Sequence, residues 1–270
     1  MKNPSLGAPF VIGVSPPPLA PGGLTLVVPS HNEGASLARV LRDWWTQRPV
    51  GFDYQILVVD DASTDDTPRV LQQLASELPV RTVRNTTQLG YGASLQVGIL
   101  HTTTEWLAMT DADGQFDPSD LPRLLSAVSQ EHVLASGWRP HRADPFIRIV
   151  ISFGFRWLLL LFFRARVRDP TATLKAGRTE PVRDIARQFR YMIGSFGNEF
   201  TIRWLRAGYR IVPVAVQHHP RLDGGSKIVA KGSIAKVAVK QFIALLRLWR
   251  EFHQFNIPST PTAHAEPDPD

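Results

Sequence analysis

The sequence predicts an α/β fold in which a mostly parallel sheet is flanked by helices. Short apolar runs rich in Val, Ile and Leu recur along the first half of the 270-residue chain, and segments with helical spacing separate them. This alternation with short connections is typical of parallel strands joined by helical crossovers. Three of the strand-to-helix junctions carry acidic residues, and ligands of open α/β sheets bind at the carboxyl ends of the strands. The sequence therefore also predicts a ligand site at that edge.

The elements of the first half follow from apolar patterns and helix-start residues. Strands are predicted at 24–28, 54–59, 80–83, 106–109 and 132–135, and helical patterns lie between them. We expect Asn32 to cap the first helix and Thr67 to cap the second, with Pro68 at its first position. Asp117, which precedes Pro118, is expected to cap a helix over 118–129.

From Pro145 onward the chain becomes more apolar and more basic. Residues 146–163 have a helical pattern, with Arg148, Ser152 and Arg156 four apart along one side. This segment is either a core helix with a solvated stripe or a helix lying in a membrane interface. Further helices are expected at 180–189, 198–207 and 234–252, a strand at 209–216, and an irregular segment or short strand at 169–175.

Composition and charge narrow the class of protein. The chain has no cysteine, which excludes disulfides, thiolate zinc sites and cysteine nucleophiles. We expect neither a signal peptide nor a membrane-spanning helix, because prolines interrupt the N-terminus and no apolar run reaches about 18 residues. The net charge of +6 is concentrated in 139–168 and 221–250, which carry +6 each. Such a face suits phosphates, anionic lipid or nucleic acid, or it is an ordinary solvated surface.

The acid pair after the fourth strand is the centre of the candidate site. Asp111 and Asp113 stand one residue apart, and Gln115 follows them. Carboxylates at this spacing can both turn toward one hard cation, and Mg²⁺ is commonly held by one or two carboxylates plus substrate phosphates. An Asp-rich turn is the alternative, whereas a calcium loop does not fit because Phe116 stands where that loop needs glycine. The pattern indicates a metal–diphosphate site.

Other nucleotide and hydrolase motifs are missing from the sequence. No G-x-G-x-x-G follows the first strand, and after the third strand Leu95 occupies the place of the third glycine. The chain contains neither a Walker A loop nor a G-x-S-x-G elbow. Dinucleotide-dependent oxidoreductases and hydrolases are therefore less well supported than an enzyme with a metal–diphosphate site.

The chain carries six motifs in a familiar order: PSHNEG, LVVDDASTDDT, QLGYGASLQVGI, MTDADGQF, SGWR and HPRLDGGSK. Together they resemble family 2 inverting glycosyltransferases of the GT-A fold, in the polyprenyl- or dolichyl-phosphate mannosyltransferase branch. The resemblance covers about 24–230 and implies a GT-A-type, Rossmann-like, mostly parallel sheet, with amphipathic interfacial helices in the C-terminal half. We expect a lead-in at 1–23 and a transferase domain at 24–230, divided into a nucleotide-sugar half (24–137) and an acceptor half (138–230). An amphipathic helix (231–256) and a disordered tail (257–270) would follow.

The resemblance also implies roles for residues at matching positions. The donor nucleotide would be contacted by Pro29, His31, Glu33, Val59 and Asp61. The metal would be held by Asp111, Asp113 and Gln115, and Ala112 between the two acids would border the donor. The donor phosphates would be bound by Arg139, Arg221 and Lys227, with Asp113, Arg221 and Lys227 acting in catalysis. The phosphate of the acceptor would be held by Arg148 and Ser152.

The reaction implied by the resemblance is a metal-dependent, inverting hexose transfer. Mannose from GDP-mannose would pass to a polyprenyl phosphate, with Mg²⁺ or Mn²⁺ as cofactor. The partners would be a nucleotide sugar, a polyprenyl phosphate and a membrane, with the enzyme peripherally bound on the cytoplasmic face and no nucleic acid involved. A phosphate acceptor needs no general base, whereas a hydroxyl acceptor needs one. Glu199 is the candidate for such a base, or it is only an acid at a helix N-terminus.

The chain departs from the family pattern at two places, and these keep alternatives open. His31 replaces the usual Tyr, which leaves the nucleotide base open. Residues 169–175 lack the Gly, Phe and Arg of the family's Asp-x-Thr-x-Gly-Phe-Arg stretch, which leaves the sugar and acceptor open. The alternatives are a soluble family 2 transferase acting on a hydroxyl, a silent sugar-nucleotide binder, and a protein that binds nucleic acid or an anionic surface. The sequence contains no recognisable nucleic-acid module.

Overall fold

The computed structural model describes residues 18–141, 146–192, 196–222 and 234–254. Its strands are β1 (Ala20–Ser30), β2 (Asp53–Asp60), β3 (Val80–Arg84), β4 (Thr104–Met109), β5 (Val133–Trp138), β6 (Lys175–Arg178) and β7 (Arg210–Ala215). Its helices are α1 (Gly34–Thr46), α2 (Thr67–Glu77), α3 (Tyr91–His101), α4 (Leu121–Ala127), α5 (Phe146–Phe163), α6 (Thr179–Ala186), α7 (Phe196–Arg206) and α8 (Ile234–Gln254). The helix expected over 118–129 is shorter, because a 3₁₀ turn (Pro118–Asp120) precedes α4.

The strands form one sheet in the order β3-β2-β1-β4-β6-β5-β7. Strand β1 pairs in parallel with β2 and β4, β2 pairs in parallel with β3, and β5 pairs in parallel with β7. The predicted mostly parallel sheet is therefore confirmed. Every strand except β6 runs in the same direction, so their carboxyl ends meet at one edge of the sheet.

Strand β6 lies between β4 and β5 and runs antiparallel to both. Its first residue, Lys175, pairs with Met109 at the end of β4 and with Ser136 in β5. The chain before β6 therefore enters the sheet at the carboxyl edge, beside the residues that follow β4. A strand from the expected acceptor half thus completes the sheet of the expected nucleotide-sugar half.

Both faces of the sheet are covered by helices, so its central strands are buried on both sides. Residues 23–30 of β1 are all buried. Leu24, Leu26 and Val28 join a core with α1, α2 and α4, whereas Val27 joins a second core with α3, α6 and α7. Helix α3 comes so close to β1 that a Cβ on Gly98 would lie 2.3 Å from Cγ1 of Val27. Only glycine allows this approach, which sets the position of α3 over the sheet.

The turn between β1 and α1 differs from the expected helix cap. Asn32 has a left-handed φ of 55° and accepts a hydrogen bond from the backbone N–H of Thr64 through Oδ1 at 2.8 Å. Thr67 accepts from the backbone N–H of Glu33 at 3.1 Å and is the first residue of α2 rather than its cap. Both cap predictions were wrong, because these side chains join the β1–α1 turn to the β2–α2 turn. These hydrogen bonds between the two turns hold Glu33 at the carboxyl edge of the sheet.

Helices α5 and α8 pack against each other and share a third apolar cluster. The cluster includes Leu159 and Phe162 of α5 with Leu245 and Leu248 of α8, and the ring centroids of Phe162 and Trp249 lie 6.1 Å apart. No helix of the described chain combines the length and apolar character needed to cross a bilayer. The predicted bounds of α5 are confirmed, and its outer surface carries exposed apolar side chains as well as the exposed Arg156.

Several expectations concern residues that the structure does not describe. Lys227, the first 17 residues and the tail at 257–270 all lie outside the described ranges, and the side chain of Arg148 does so as well. The strand expected to follow the lead-in begins earlier, because β1 starts at Ala20 rather than Leu24.

Candidate active site

The acid pair lies at the carboxyl end of β4, as predicted. The carboxylate of Asp113 is buried and accepts a hydrogen bond from the backbone N–H of Gln115 at 3.1 Å. Burial and the negative charge of Asp111 raise the pKa of Asp113 from 3.8 to about 7, while the Arg221 guanidinium acts in the opposite direction. Two neighbouring carboxylates repel each other, and a cation bound between them would relieve that repulsion.

The returning loop at 218–222 is hydrogen-bonded to Asp113 and to Gln115. The backbone N–H of His219 donates to the carbonyl of Gln115 at 2.7 Å, and Nε2 of Gln115 donates to the carbonyl of His219 at 3.2 Å. The backbone N–H of Leu222 donates to the carbonyl of Asp113. These bonds leave Oε1 of Gln115 as the side-chain atom that could reach a metal.

The same loop brings a cation to the site. Nη2 of Arg221 lies 2.8 Å from Oε1 of Glu33 and 3.8 Å from Oδ2 of Asp113. Glu33 and Arg221 are 188 positions apart in the sequence, so the fold unites three predicted site residues from distant segments. The guanidinium of Arg221 thus lies between two carboxylates, and its contact with the donor phosphates stays a prediction.

The ends of β1 and β2 bring the predicted nucleoside residues to the same edge. Pro29 pairs with Val59 across the two strands, and Nδ1 of His31 lies 2.8 Å from the carbonyl oxygen of Asp61. The Asp61 carboxylate accepts hydrogen bonds from the backbone N–H groups of Leu89 and Gly90 at 2.8 and 2.9 Å, and also from the side chain of Asn85. Asp61 thus secures the entry to α3, and Val59 has no exposed surface. Their contacts with a nucleoside stay predictions.

Arg139 follows β5 and contacts a different partner from the expected phosphate. Its guanidinium makes a two-pronged contact with Asp169, at 2.7 and 3.0 Å, and donates to Oγ1 of Thr171 at 2.9 Å. Both members of the ion pair are buried. The segment before β6 is therefore anchored beside the acid pair, and the phosphate-binding role of Arg139 stays a prediction.

The sequence of this chain matches a known protein family. The family model described as "Glycosyl transferase family 2" matches residues 25–185, which is more than half of the chain. The chain belongs to glycosyl transferase family 2. The match begins within β1 and ends within α6, so it contains the acid pair and the segment that leads into β6.

Individual relatives extend the comparison. An uncharacterized glycosyltransferase of Mycobacterium tuberculosis is 32% identical over 237 residues, covering 86% of this chain and 99% of the relative. A dodecaprenyl-phosphate galacturonate synthase of Rhizobium johnstonii is 28% identical, covering 76% of this chain and 61% of the relative. The solved structure of glucosyl-3-phosphoglycerate synthase from M. tuberculosis, in complex with Mn²⁺, UDP and glucosyl-3-phosphoglycerate, has a TM-score of 0.61 at 19% identity, covering 84% of this chain and 79% of that one. Its likeness confirms the expected GT-A-type fold of this transferase.

The residues of the transferase fit a divalent cation held jointly with a diphosphate. Within the described ranges, no three His, Cys, Asp or Glu side chains form a metal cage. The protein instead offers the carboxylates of Asp111 and Asp113 and the amide oxygen of Gln115. Mg²⁺ is usually bound by one or two carboxylates, with water and substrate phosphates completing its shell. The pair of acids beside Arg221 matches that arrangement.

Three residues near the acid pair were not predicted from the sequence. The Tyr91 hydroxyl contacts both Asp111 and Thr173. Lys175 is completely buried; its Nζ donates to Oγ of Ser136 at 3.1 Å, and burial lowers its pKa to about 8. A tyrosine between two glycines and a lysine at the end of the altered 169–175 stretch were the available signals. Neither showed which partner the side chain would meet.

Glu199, the candidate base, and Ser152, a predicted acceptor residue, lie on two different helices, α7 and α5. Glu199 is buried and accepts hydrogen bonds from the backbone N–H groups of Arg190, Tyr191 and Met192, as well as from Arg203. This carboxylate is a structural anchor, so the role of general base does not suit it. Ser152 is half-buried on α5.

Proposed function

We propose that this family 2 transferase moves a hexose, mannose from GDP-mannose, to a polyprenyl phosphate at a membrane surface, with Mg²⁺ or Mn²⁺ bound at the acid pair. The observation that carries the proposal is that Arg221 lies beside Asp113 and Glu33 at the carboxyl edge of the sheet, with the charge of Asp111 acting on Asp113. Carboxylates that hold a divalent cation, beside a guanidinium, form the environment that a nucleotide diphosphate leaving group requires.

The chemistry of an inverting transfer assigns a task to each group. An acceptor oxygen attacks the anomeric carbon from the face opposite the diphosphate, and the bond from that carbon to the leaving oxygen breaks. Negative charge then accumulates on the diphosphate. The bound cation would neutralise part of that charge, and Arg221 and Lys227 would donate hydrogen bonds to the phosphate oxygens.

The contacts of Glu199, the candidate base, support a phosphate acceptor. An ionised phosphate attacks without giving up a proton, whereas a hydroxyl requires a base near its oxygen. Glu199 cannot serve easily, because three backbone N–H groups and Arg203 already occupy its carboxylate. The similarity to a dodecaprenyl-phosphate galacturonate synthase supports the same class of acceptor.

A donor and acceptor panel tests the proposed function. Labelled GDP-mannose, UDP-glucose and UDP-galacturonate are each incubated with the enzyme, Mn²⁺ or Mg²⁺, and a short-chain polyprenyl phosphate in detergent. The expected result is label in the organic extract from GDP-mannose. Label in that extract from a UDP-sugar alone would correct the sugar and base, and transfer only to water-soluble acceptors would overturn the lipid acceptor.

We expect Arg148 to determine the affinity for the acceptor phosphate. Arg148 and Ser152 are four residues apart in the sequence of α5, and residues at that spacing share one face of a helix, so we expect one phosphate to contact both. Arg148→Ala is expected to raise the KM for polyprenyl phosphate by roughly tenfold or more, because a charge-assisted hydrogen bond is lost. The KM for the donor should stay unchanged. Arg148→Lys should recover only part of the affinity, since a point charge lacks the guanidinium fork.

Steady-state kinetics with short-chain polyprenyl phosphates in detergent measure this effect. Arg39→Ala is a matched control away from this helix, because Arg39 lies on α1, is 72% exposed and pairs with Asp43 on the surface. An unchanged acceptor KM in Arg148→Ala would place the acceptor phosphate elsewhere.

The exposed apolar side chains of α5 and α8 support attachment to a membrane surface. Phe153, Trp157 and Leu161, four apart on α5, have exposed fractions of 58%, 58% and 74%. On α8, Phe242 and Ile243 are also exposed, beside the exposed Lys240 and other basic residues. Aromatic residues flanked by positive charge suit an interface with anionic lipid, as found at the cytoplasmic leaflet.

Removing two of these aromatic side chains should release the protein from vesicles. Phe153→Ser with Trp157→Ser is expected to reduce partitioning onto phosphatidylglycerol vesicles by about tenfold or more, because roughly 2 kcal/mol of apolar burial is lost. Vesicle flotation measures the bound fraction. Val50→Ser is the matched control, since Val50 is 98% exposed and lies on the turn before β2. Equal binding of both variants would show that this helix pair does not dock on lipid.

A further inference from the structure

Tyr91 lies at the first turn of α3 and contacts the metal-binding acid pair. Its hydroxyl oxygen is 2.6 Å from Oδ1 of Asp111 and 2.8 Å from Oγ1 of Thr173. A phenol has one proton, and a carboxylate is the stronger acceptor, so Tyr91 donates to Asp111. The Thr173 hydroxyl then donates to the oxygen of Tyr91. A phenol is protonated at neutral pH, so the Tyr91 hydroxyl has a proton to donate.

The backbone at the start of α3 holds Tyr91 in place for this contact. Gly90 has a φ of 95°, a left-handed conformation that glycine adopts without strain, and it leads the chain into α3. The Asp61 carboxylate accepts from the backbone N–H groups of Leu89 and Gly90. The start of α3, and Tyr91 with it, is therefore tied to the end of β2.

The segment that contains Thr173 is also held in place by its contacts. Polar residues alternate from position 171 into the start of β6, where Thr171, Thr173 and Lys175 each contact another side chain. The residues between them, Ala172 and Leu174, are completely buried in the core. This alternation orients the polar residues away from that core, and the ion pair of Asp169 with Arg139 anchors the segment. The 169–175 stretch, which departs from the family pattern, is thus built into the surroundings of the acid pair.

We infer that Tyr91, oriented by Thr173, is a positioning residue that fixes the Asp111 carboxylate for a divalent cation and its diphosphate. The inference rests on the proposed function, because it assigns a task within the same site. With Oδ1 of Asp111 engaged by Tyr91, Oδ2 is left for the metal. Hydrogen bonds that orient metal-binding side chains in this way typically affect metal affinity or activity by about 10–100-fold.

Titration of Mn²⁺ in the presence of GDP, and separately of UDP, tests the inference by calorimetry. Tyr91→Phe is expected to weaken Mn²⁺ binding roughly tenfold, and Thr173→Val should weaken it less, with Thr173→Ser restoring the affinity. Tyr54→Phe is the matched control. Tyr54 is also buried, and its hydroxyl has no hydrogen-bond partner in the described part of the chain, so its removal should leave the affinity unchanged.

Kinetics provide a second readout that a general loss of structure would not reproduce. In Tyr91→Phe the Mn²⁺ concentration for half-maximal rate should rise about tenfold, while kcat at saturating Mn²⁺ returns to within about threefold of the wild type. Thr173→Val changes the site without removing the tyrosine, so a similar but smaller shift there supports the same conclusion even if Tyr91→Phe folds poorly.

The reference variant Asp111→Ala separates failure of this inference from failure of the proposed function. If Asp111→Ala removes Mn²⁺ binding while Tyr91→Phe and Thr173→Val match Tyr54→Phe, the positioning role is overturned and the metal site stands. If Asp111→Ala binds Mn²⁺ like the wild type, the metal site of the proposed function is wrong, and the role of Tyr91 is overturned with it.

Discussion

Asp113→Ala is expected to reduce sugar transfer by at least about 10³-fold, and Asp111→Ala should act similarly. Each change removes a carboxylate that would hold the cation against the diphosphate, and the loss of one electrostatic stabiliser of developing charge commonly costs this much. Gln115→Ala should be milder, at about tenfold, because water can replace a neutral ligand. Initial rates at saturating donor and acceptor, with Mn²⁺ varied, measure all three variants.

Asp117→Asn is the matched control for these substitutions. Asp117 lies four residues beyond Asp113, accepts from the backbone N–H of Ser119, and pairs with the half-exposed His219. An Asn side chain keeps the acceptor oxygen and loses only the charge, so the rate should stay within about threefold of the wild type. Full turnover of the wild type in excess chelator would contradict the metal requirement.

Stability measurements on Asp113→Asn show whether a loss of activity comes from the missing carboxylate or from a destabilised fold. The folded-state pKa of Asp113 is about 7, above its ordinary value of 3.8, so the folded protein binds this proton more tightly than the unfolded chain. Protonation of Asp113 therefore stabilises the metal-free fold at low pH, and this contribution is lost as the pH rises through 7. At pH 8, Asp113→Asn should melt no lower than the metal-free wild type while remaining inactive.

Glu199→Ala is expected to lower the free energy of unfolding by about 3–5 kcal/mol. Glu199 has no exposed surface, and its carboxylate accepts from three backbone N–H groups and from the guanidinium of Arg203. Arg203 is also buried and binds Glu251 on α8 at 2.9 and 3.1 Å. Removing Glu199 leaves buried donors without acceptors and deprives Arg203 of one counter-charge. The melting temperature should fall by roughly 10 °C.

Thermal and urea denaturation at pH 7 measure this loss against a surface control. Asp184 on α6 pairs with Arg187, the residue that follows this helix, and both side chains are more than 40% exposed. Asp184→Ala should therefore change the free energy of unfolding by no more than about 1 kcal/mol. Equal losses in the two variants would show that the buried network contributes no more than a surface ion pair.

The sequence by itself determined most of the secondary structure, and it predicted the edge of the sheet at which the candidate site lies. Local period and composition specified the apolar strands and the helix at 146–163, whose bounds the structure confirms. Parallel strands must place their carboxyl ends at one edge, so Glu33, Asp61, Asp111 and Asp113 were predicted to meet there. These features depend on residues close together in the chain, which is why pattern and motif were sufficient.

The tertiary structure alone decided which side chain meets which. No period or motif in the sequence predicts the antiparallel insertion of β6, the pairing of Tyr91 with Thr173, or the use of Glu199 as an anchor. Tyr91 and Thr173 are 82 positions apart, so their contact exists only once the sheet has brought α3 beside the segment before β6. A buried hydroxyl or carboxylate must find a partner within hydrogen-bonding distance, and packing selects that partner from the neighbours it supplies.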